Sequence, residues 1–162
     1  MKFDFCPKCG NKLIEKQIGD EGLIPYCNNC SRPWFSFCYT CVICLLVDEN
    51  ENIALIKQSY GDTNRYVCVA GFMKPGESAE EAAMREIYEE TGLKTIECKY
   101  VNSYPYEKKD NLMLGFACKV TRNEFKLSSE LSQADWFTKE EALMKLADAR
   151  IAKMLLEDYI NG

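Results

Sequence analysis

The sequence predicts an α/β fold, a sandwich of helices on a sheet preceded by a small cysteine-stapled module. Three observations carry the prediction. Apolar runs of strand length alternate with segments of helical period, two of the helical segments open on capping-box residues, and two Cys-x-x-Cys pairs stand ahead of all of them. A chain of 162 residues, 47% of them hydrophobic, is long enough for one ordinary domain with an appendage and too short for two full domains. The expected division is a ribbon over residues 1–35 and a larger domain over 36–162.

The N-terminal element comes first. Cys6-Pro-Lys-Cys9-Gly10 and Cys27-Asn-Asn-Cys30 are two thiol pairs, each on a tight turn, that form a tetrahedral site once the chain doubles back between them. Soft thiolates select zinc over magnesium, and four of them leave no open position for a substrate, so Cys6, Cys9, Cys27 and Cys30 are expected to hold structural zinc. So short a segment has too little core to fold without such a staple. Cys38, Cys41 and Cys44 lie in or beside an apolar strand and read as buried thiols rather than as a second metal site.

From Tyr39 onward, strands are expected at Tyr39 to Val47, Ile53 to Gln58, Tyr66 to Ala70, Thr95 to Asn102, Leu112 to Val120 and Ala134 to Phe137. The polar run from Asp48 to Asn52 suits a hairpin between the first two. Ser78 with Glu81 forms a capping box for a helix that ends at Gly92, and Thr138 with Glu141 opens a second helix. Ile151, Met154, Leu155 and Tyr159 have the spacing of a third helix packed on one face.

Composition narrows the function classes. A formal charge of −5 gives no general attraction to nucleic acid or anionic membrane, and an anionic substrate would need a bound divalent cation to offset the protein's own charge. The longest apolar run, Val42 to Val47, is far below the ~20 residues that span a bilayer, and the N-terminus lacks a signal pattern, so a soluble cytoplasmic protein is expected. Ten cysteines and no histidine mean that any metal is held by sulfur or oxygen, with the remaining cysteines expected as free thiols rather than disulfides.

The helix from Ser78 to Gly92 concentrates the chemistry. Glu86, Glu89 and Glu90 stand at i, i+3 and i+4, so three carboxylates share one face, while Ala83, Met84, Ile87, Tyr88 and Thr91 form a stripe expected to pack on the sheet. Like charges at that spacing repel, and hard cations such as magnesium or manganese remove the penalty while polarising phosphoryl oxygens and acidifying water. Arg85, four residues before Glu89, can hold that carboxylate in place, and Glu77 can do the same for the preceding loop. Gly71 and Gly76 are expected to free the backbone so that a carbonyl near Ala70 turns toward a metal.

Gly71, Glu77, Arg85, Glu86, Ile87, Glu89, Glu90, Gly92 and Leu93 together match the signature of the Nudix family, which the chain resembles position for position. The resemblance implies an α/β/α sandwich with a mixed sheet that hydrolyses nucleoside diphosphates linked to another moiety. It also implies that the Ala70 carbonyl, Glu86 and Glu90 bind divalent ions, that Glu89 binds metal or acts as base, and that Arg85 orients the glutamates. The base itself stays open among Glu86, Glu89 and Glu130.

Outside the box, the ribbon, Tyr100 to Ser103, Leu112-Met113, Glu130 ahead of Ala134 to Phe137, and Ile151 to Lys153 resemble the NADH pyrophosphatase subfamily. That likeness implies an NADH-like substrate, with ADP-ribose, a nucleotide sugar or an NAD-type cap on RNA as alternatives, and a homodimer. It makes Glu130 a further metal ligand and puts Phe35, Tyr104, Tyr106, Asn111 and Ala152 near the substrate base. The subfamily's Ser-Gln-Pro-Trp-Pro-Phe-Pro loop is here Ser103-Tyr-Pro-Tyr106-Glu-Lys-Lys109, so the specificity array is incomplete. Tyr106 can still stack on a base, and Lys108 and Lys109 read as surface-loop residues. A reading of a different class, a nucleotide-sensing module whose ribbon contacts nucleic acid or a partner, would not need so complete a carboxylate set.

Overall fold

The computed structural model describes residues 3–162 and divides into two compact units, one running to Tyr39 and the other from Thr40 to Gly162. The first unit is a three-stranded antiparallel sheet of β1 (Ile14–Gln17), β2 (Leu23–Cys27) and β3 (Arg32–Pro33). Its two cysteine turns are tight. The Gly10 N–H donates to the Cys6 carbonyl at 2.8 Å, and Gly10 takes φ +74°, a left-handed conformation that favours glycine.

The second unit holds a six-stranded mixed sheet made of β4 (Tyr39–Val47), β5 (Ile53–Gln58), β6 (Val69–Phe72), β7 (Thr95–Tyr106), β8 (Asn111–Val120) and β9 (Leu131–Phe137), with α1 (Ala79–Thr91), α2 (Lys139–Lys145) and α3 (Arg150–Asn161). The strand order is β7-β8-β4-β5-β9, and β6 pairs with β4 beside that path. Strand β4 divides its length between partners, Cys41 to Cys44 lying against β6 and Leu46 and Val47 against β5.

Alternation along β4 sorts the core into two layers. Cys41, Ile43, Leu45 and Val47 face a cluster that includes Ala142 and Leu146 of the α2 region and Ala152, Leu155 and Leu156 of α3. Val42, Cys44 and Leu46 face the other cluster with Ala82, Ala83 and Ile87 of α1. Helices therefore cover both faces of one sheet, as the α/β/α expectation requires. Both capping boxes form, Ser78 with Glu81 and Thr138 with Glu141, and Gly92 ends α1 at φ +71°. The hairpin after β4 is fixed by buried Asp48, whose carboxylate accepts from the N–H groups of Asn50 and Asn52 and from Arg122 at 2.8 to 3.0 Å.

Five expectations need correction, the first being that Cys38, expected as a buried thiol, is exposed. The run from Tyr66 to Ala70 contributes only its end to a strand, because Val67 makes an isolated bridge to Ile56 and regular pairing starts at Val69. Strand β7 continues past Asn102 through Pro105 to Tyr106; it lies at the edge of the sheet, where a residue without an N–H can be accommodated. On α1 the inward residues are Ala82, Ala83, Ile87 and Thr91, whereas Met84 and Tyr88 are exposed. Cys98 and Cys118, expected as free thiols, are directly paired across β7 and β8 and joined as a disulfide. No helix among the described residues is long and apolar enough to cross a membrane.

Candidate active site

The loop from Gly71 to Glu77 leads from β6 into α1, and one side chain locks the two together. Arg85 donates from Nε and Nη2 to the two Glu77 carboxylate oxygens at 2.9 and 2.7 Å, from Nη2 to the Phe72 carbonyl at 3.1 Å, and from Nη1 to Glu86 and Glu89 at 2.6 and 3.1 Å. Every N–H donor of a guanidinium is thereby used. The spacing pointed to Glu89 as its partner; the fold gives it Glu77 and Glu86 as well. Arg85, with the Lys74 N–H, holds the Glu77 carboxyl down to about 2.

Gly71 is required for a reason other than backbone freedom. Its φ is not left-handed, but a Cβ there would overlap the carboxylate of Glu86, so glycine is what lets Glu86 lie against β6. Gly76 does take the left-handed conformation, at φ +92°.

Glu90 points into the molecule. Its Oε2 is buried with no hydrogen-bond partner, and burial, followed by the charges of Glu86, Glu130 and Glu89, pushes its carboxyl up to about 8. Glu130 reaches this neighbourhood because the segment before β9 wraps over the end of α1: the Lys126 and Ser128 N–H groups donate to the carbonyls of Thr91 and Glu90 at 2.8 and 3.0 Å, and the Ser59 N–H to that of Glu130 at 2.8 Å. The glutamates do not close into a ready ligand cage. Among the described residues the group whose ligand atoms all lie within 4.8 Å of one another is the cysteine set, and Arg85 holds Glu86 and Glu89. An orphaned buried carboxylate oxygen among three further carboxylates fits a hard divalent cation, which would satisfy the oxygen and cancel the repulsion together.

The same unit has a cavity of about 470 Å³; Ala70, next to Gly71 in β6, lines it, and none of the four glutamates does. Ile43, Val67, Cys68, Met113 and Ala152 give it apolar walls, Tyr106 an aromatic one, and Arg65, Lys108 and Arg150 contribute cations with Glu107 and Asp148 among them. Of the expected substrate residues, Tyr106 and Ala152 line it. Tyr104 does not: it is buried in the core and its hydroxyl donates to Asp158 at 2.7 Å. The register shift between Tyr100 and Asn102 turns it inward, and no local residue pattern signals that shift. Asn111 pairs with Tyr106 at the start of β8 outside the lining, and Phe35 is an exposed residue of the first unit. Lys108, expected on a plain surface loop, lines the cavity while Lys109 does not. Arg65 and Arg150 carry no motif and were visible only once the fold brought them there.

The first unit holds a separate candidate centre. The Cys6 and Cys30 sulfurs are 3.9 Å apart and those of Cys9 and Cys27 3.5 Å. A tetrahedron with metal–sulfur bonds of ~2.3 Å has edges of ~3.8 Å, so the set fits a tetrahedral soft cation. The charge pattern agrees. The Asn11 backbone N–H lowers the Cys9 thiol to about 6, and facing sulfurs, Cys9 first, push Cys30 up to about 12. Four sulfurs this close can all be thiolates only when a cation shares their charge.

Comparison with known proteins shows the family and the fold. The model of the NUDIX domain matches residues 39–158. The NAD-capped RNA hydrolase NudC of Vibrio vulnificus is 29% identical over 157 residues, covering 96% of this chain and 59% of that protein. Nudix hydrolase 19, chloroplastic, of Arabidopsis thaliana is 34% identical, covering 92% of this chain and 35% of that protein. The chain thus spans less than two thirds of the length of these relatives. Among solved structures, a NUDIX hydrolase from Nitrosomonas europaea superposes with a TM-score of 0.79 at 23% identity, covering 99% of this chain and 91% of that one.

Proposed function

The chain belongs to the Nudix family of hydrolases, and from that membership we propose that it cleaves the diphosphate link of an NAD-type dinucleotide by attack of water. The observation that carries the proposal is the buried, unpartnered Oε2 of Glu90 among Glu86, Glu89 and Glu130, in a unit that also holds a nucleotide-sized cavity lined by Ala70.

In this reading Glu86, Glu89, Glu90 and Glu130, with the Ala70 carbonyl, hold magnesium or manganese. When bound, the ion supplies charge neutralisation for the diphosphate oxygens and acidifies the attacking water. Arg85 positions Glu86 and Glu89 and ties them to the loop through Glu77. One of Glu86, Glu89 and Glu130 accepts the proton of the attacking water as it adds to phosphorus, and the other phosphate departs. Tyr106 offers an aromatic face to a base or nicotinamide ring, Ala152 leaves room for it, and Arg65, Lys108 and Arg150 offer charge to phosphates. Cys6, Cys9, Cys27 and Cys30 hold zinc as a structural staple. The enzyme works in the cytoplasm as a homodimer. NAD-capped RNA is a further substrate to test, since the Vibrio relative is named for it.

The test is incubation of the purified protein with NADH, ADP-ribose and NAD-capped RNA, with and without magnesium or manganese. Magnesium-dependent release of two mononucleotides from NADH supports the proposal. Cleavage of ADP-ribose alone would move the substrate class to nucleotide sugars, and no turnover of any diphosphate would leave a nucleotide sensor.

A further inference from the structure

The cavity that Ala70 lines carries positive charge that the bond to be cut does not account for. In the reading above the diphosphate is held by ions at Glu86, Glu89, Glu90 and Glu130, and none of these lines the cavity, whereas Arg65, Lys108 and Arg150 do. No ion pair to any of the three cations occurs among the described residues. Glu107 and Asp148 also line the cavity, which leaves its wall with one positive charge in excess. In a chain of net charge −5, such an excess at an apolar and aromatic cavity is open to an anion from outside.

The arginines stand away from the glutamates along the chain. Ala70 precedes Gly71, against which the Glu86 carboxylate lies. From Ala70 the chain runs back through Cys68, which also lines the cavity, and through Val67, bridged to Ile56, to reach Arg65. At the rise of an extended chain that path is on the order of 15 Å, longer than an arginine side chain. Arg65 therefore marks the end of the cavity remote from Glu86. Its Nη1 donates to the Asp148 carbonyl at 3.4 Å, which brings the guanidinium to the turn leading into α3, whose first residue is Arg150. Tyr106, Val67, Met113 and Ala152 supply the flat and apolar surface that a base needs. A base seated there brings its ribose with it, and the ribose hydroxyls are the remaining places where a nucleotide bears an anion.

We propose that Arg65 and Arg150 bind a phosphate monoester on the ribose of the enclosed nucleoside, so that the preferred substrate is a dinucleotide carrying a third phosphate. This rests on the diphosphate hydrolysis proposed above and narrows its substrate class. Arginine suits the role because its planar fork meets two phosphate oxygens at once, and an arginine near the ribose is how a dinucleotide site accommodates a ribose phosphate. Lys108 adds a further charge, and Glu107 or Asp148 can accept a hydrogen bond from the hydroxyl that stays free. The phosphate can sit on the 2′ or the 3′ hydroxyl, and the same arginines serve either.

The test is calorimetric binding of three nucleotides to the full chain in magnesium: AMP, and AMP bearing a second phosphate on the 2′ or on the 3′ hydroxyl. One of the two bisphosphates should bind at least about tenfold tighter than AMP, and the one preferred identifies the hydroxyl. In the double variant Arg65→Gln with Arg150→Gln the ratio should fall to about one. Lys109→Gln, next to Lys108 but outside the cavity lining, should keep it. Melting curves check folding, and the single variants, each of which should lose part of the ratio, serve if the double one does not fold. Equal binding of all three nucleotides by the wild type overturns the proposal, as does a preference that survives in the double variant or is lost in Lys109→Gln. Turnover of NADH, and of NADH phosphorylated on the preferred hydroxyl, separates the two readings. Tighter bisphosphate binding with neither dinucleotide cleaved refutes the hydrolase reading and leaves the phosphate site. Cleavage of NADH with equal binding of the three nucleotides refutes the phosphate site alone.

Discussion

At the scale of single residues, burial has turned Glu90 from one of several surface acids into the centre of the site. Glu90→Gln should lower turnover by at least about a hundredfold with the melting temperature maintained, because the substitution removes a ligand and a repelled charge together. Undiminished turnover would refute the ligand role. Glu77 supplies a prediction in pH. Its carboxyl is held at about 2 against an ordinary 4.5, with Arg85 as the chief cause. A depressed folded value means stability fully present above about 4.5 and lost as the pH falls from there toward 2. Urea midpoints measured across that window should fall more steeply for wild type than for Glu77→Gln, and parallel curves would contradict the assignment. Neither effect follows from residue type alone, since Glu77 in the loop and Glu90 in α1 are the same residue in opposite surroundings.

At the scale of elements, the Glu86 carboxylate of α1 occupies the space on β6 that a Cβ at Gly71 would take. Gly71→Ala should displace that carboxylate and reduce turnover at least about tenfold while the melting temperature changes little, because the far end of a flexible side chain can move aside. Full activity in that variant would mean that the approach has no bearing on the site. The ribbon offers a second element-level test. Cys6→Ser breaks the sulfur tetrahedron and should abolish stoichiometric zinc in metal analysis while loosening the first unit to proteolysis. Full zinc content would contradict the assignment.

The whole molecule shows which of these features a linear reading could reach. Both capping boxes, the Gly92 stop and the Cys-x-x-Cys pairs depend on neighbours a few residues apart, so they were legible. The three-carboxylate face of α1 was legible for the same reason. The approach of Glu130 was known only by resemblance, because it depends on the chain from Arg122 to Glu130 wrapping over α1. The convergence of Arg65, Lys108 and Arg150 on one cavity joins three separate segments and left no local pattern. Tyr104 and Tyr106 share one face of β7 after the register shift, and their places along it differ: Tyr104 meets Asp158 of α3 in the core, while Tyr106 ends the strand at the cavity. The exposure of Met84 and Tyr88 reflects where α1 sits across the sheet, which periodicity cannot specify. What the assembled molecule adds is a buried, unpartnered carboxylate oxygen among like charges and, in the same unit, a nucleotide-sized cavity. The most direct test of that claim is mass-spectrometric identification of products from NADH and purified protein, with magnesium present and then chelated. The account predicts reduced nicotinamide mononucleotide and AMP with the metal and intact NADH without it; the same products at the same rate after chelation would contradict it.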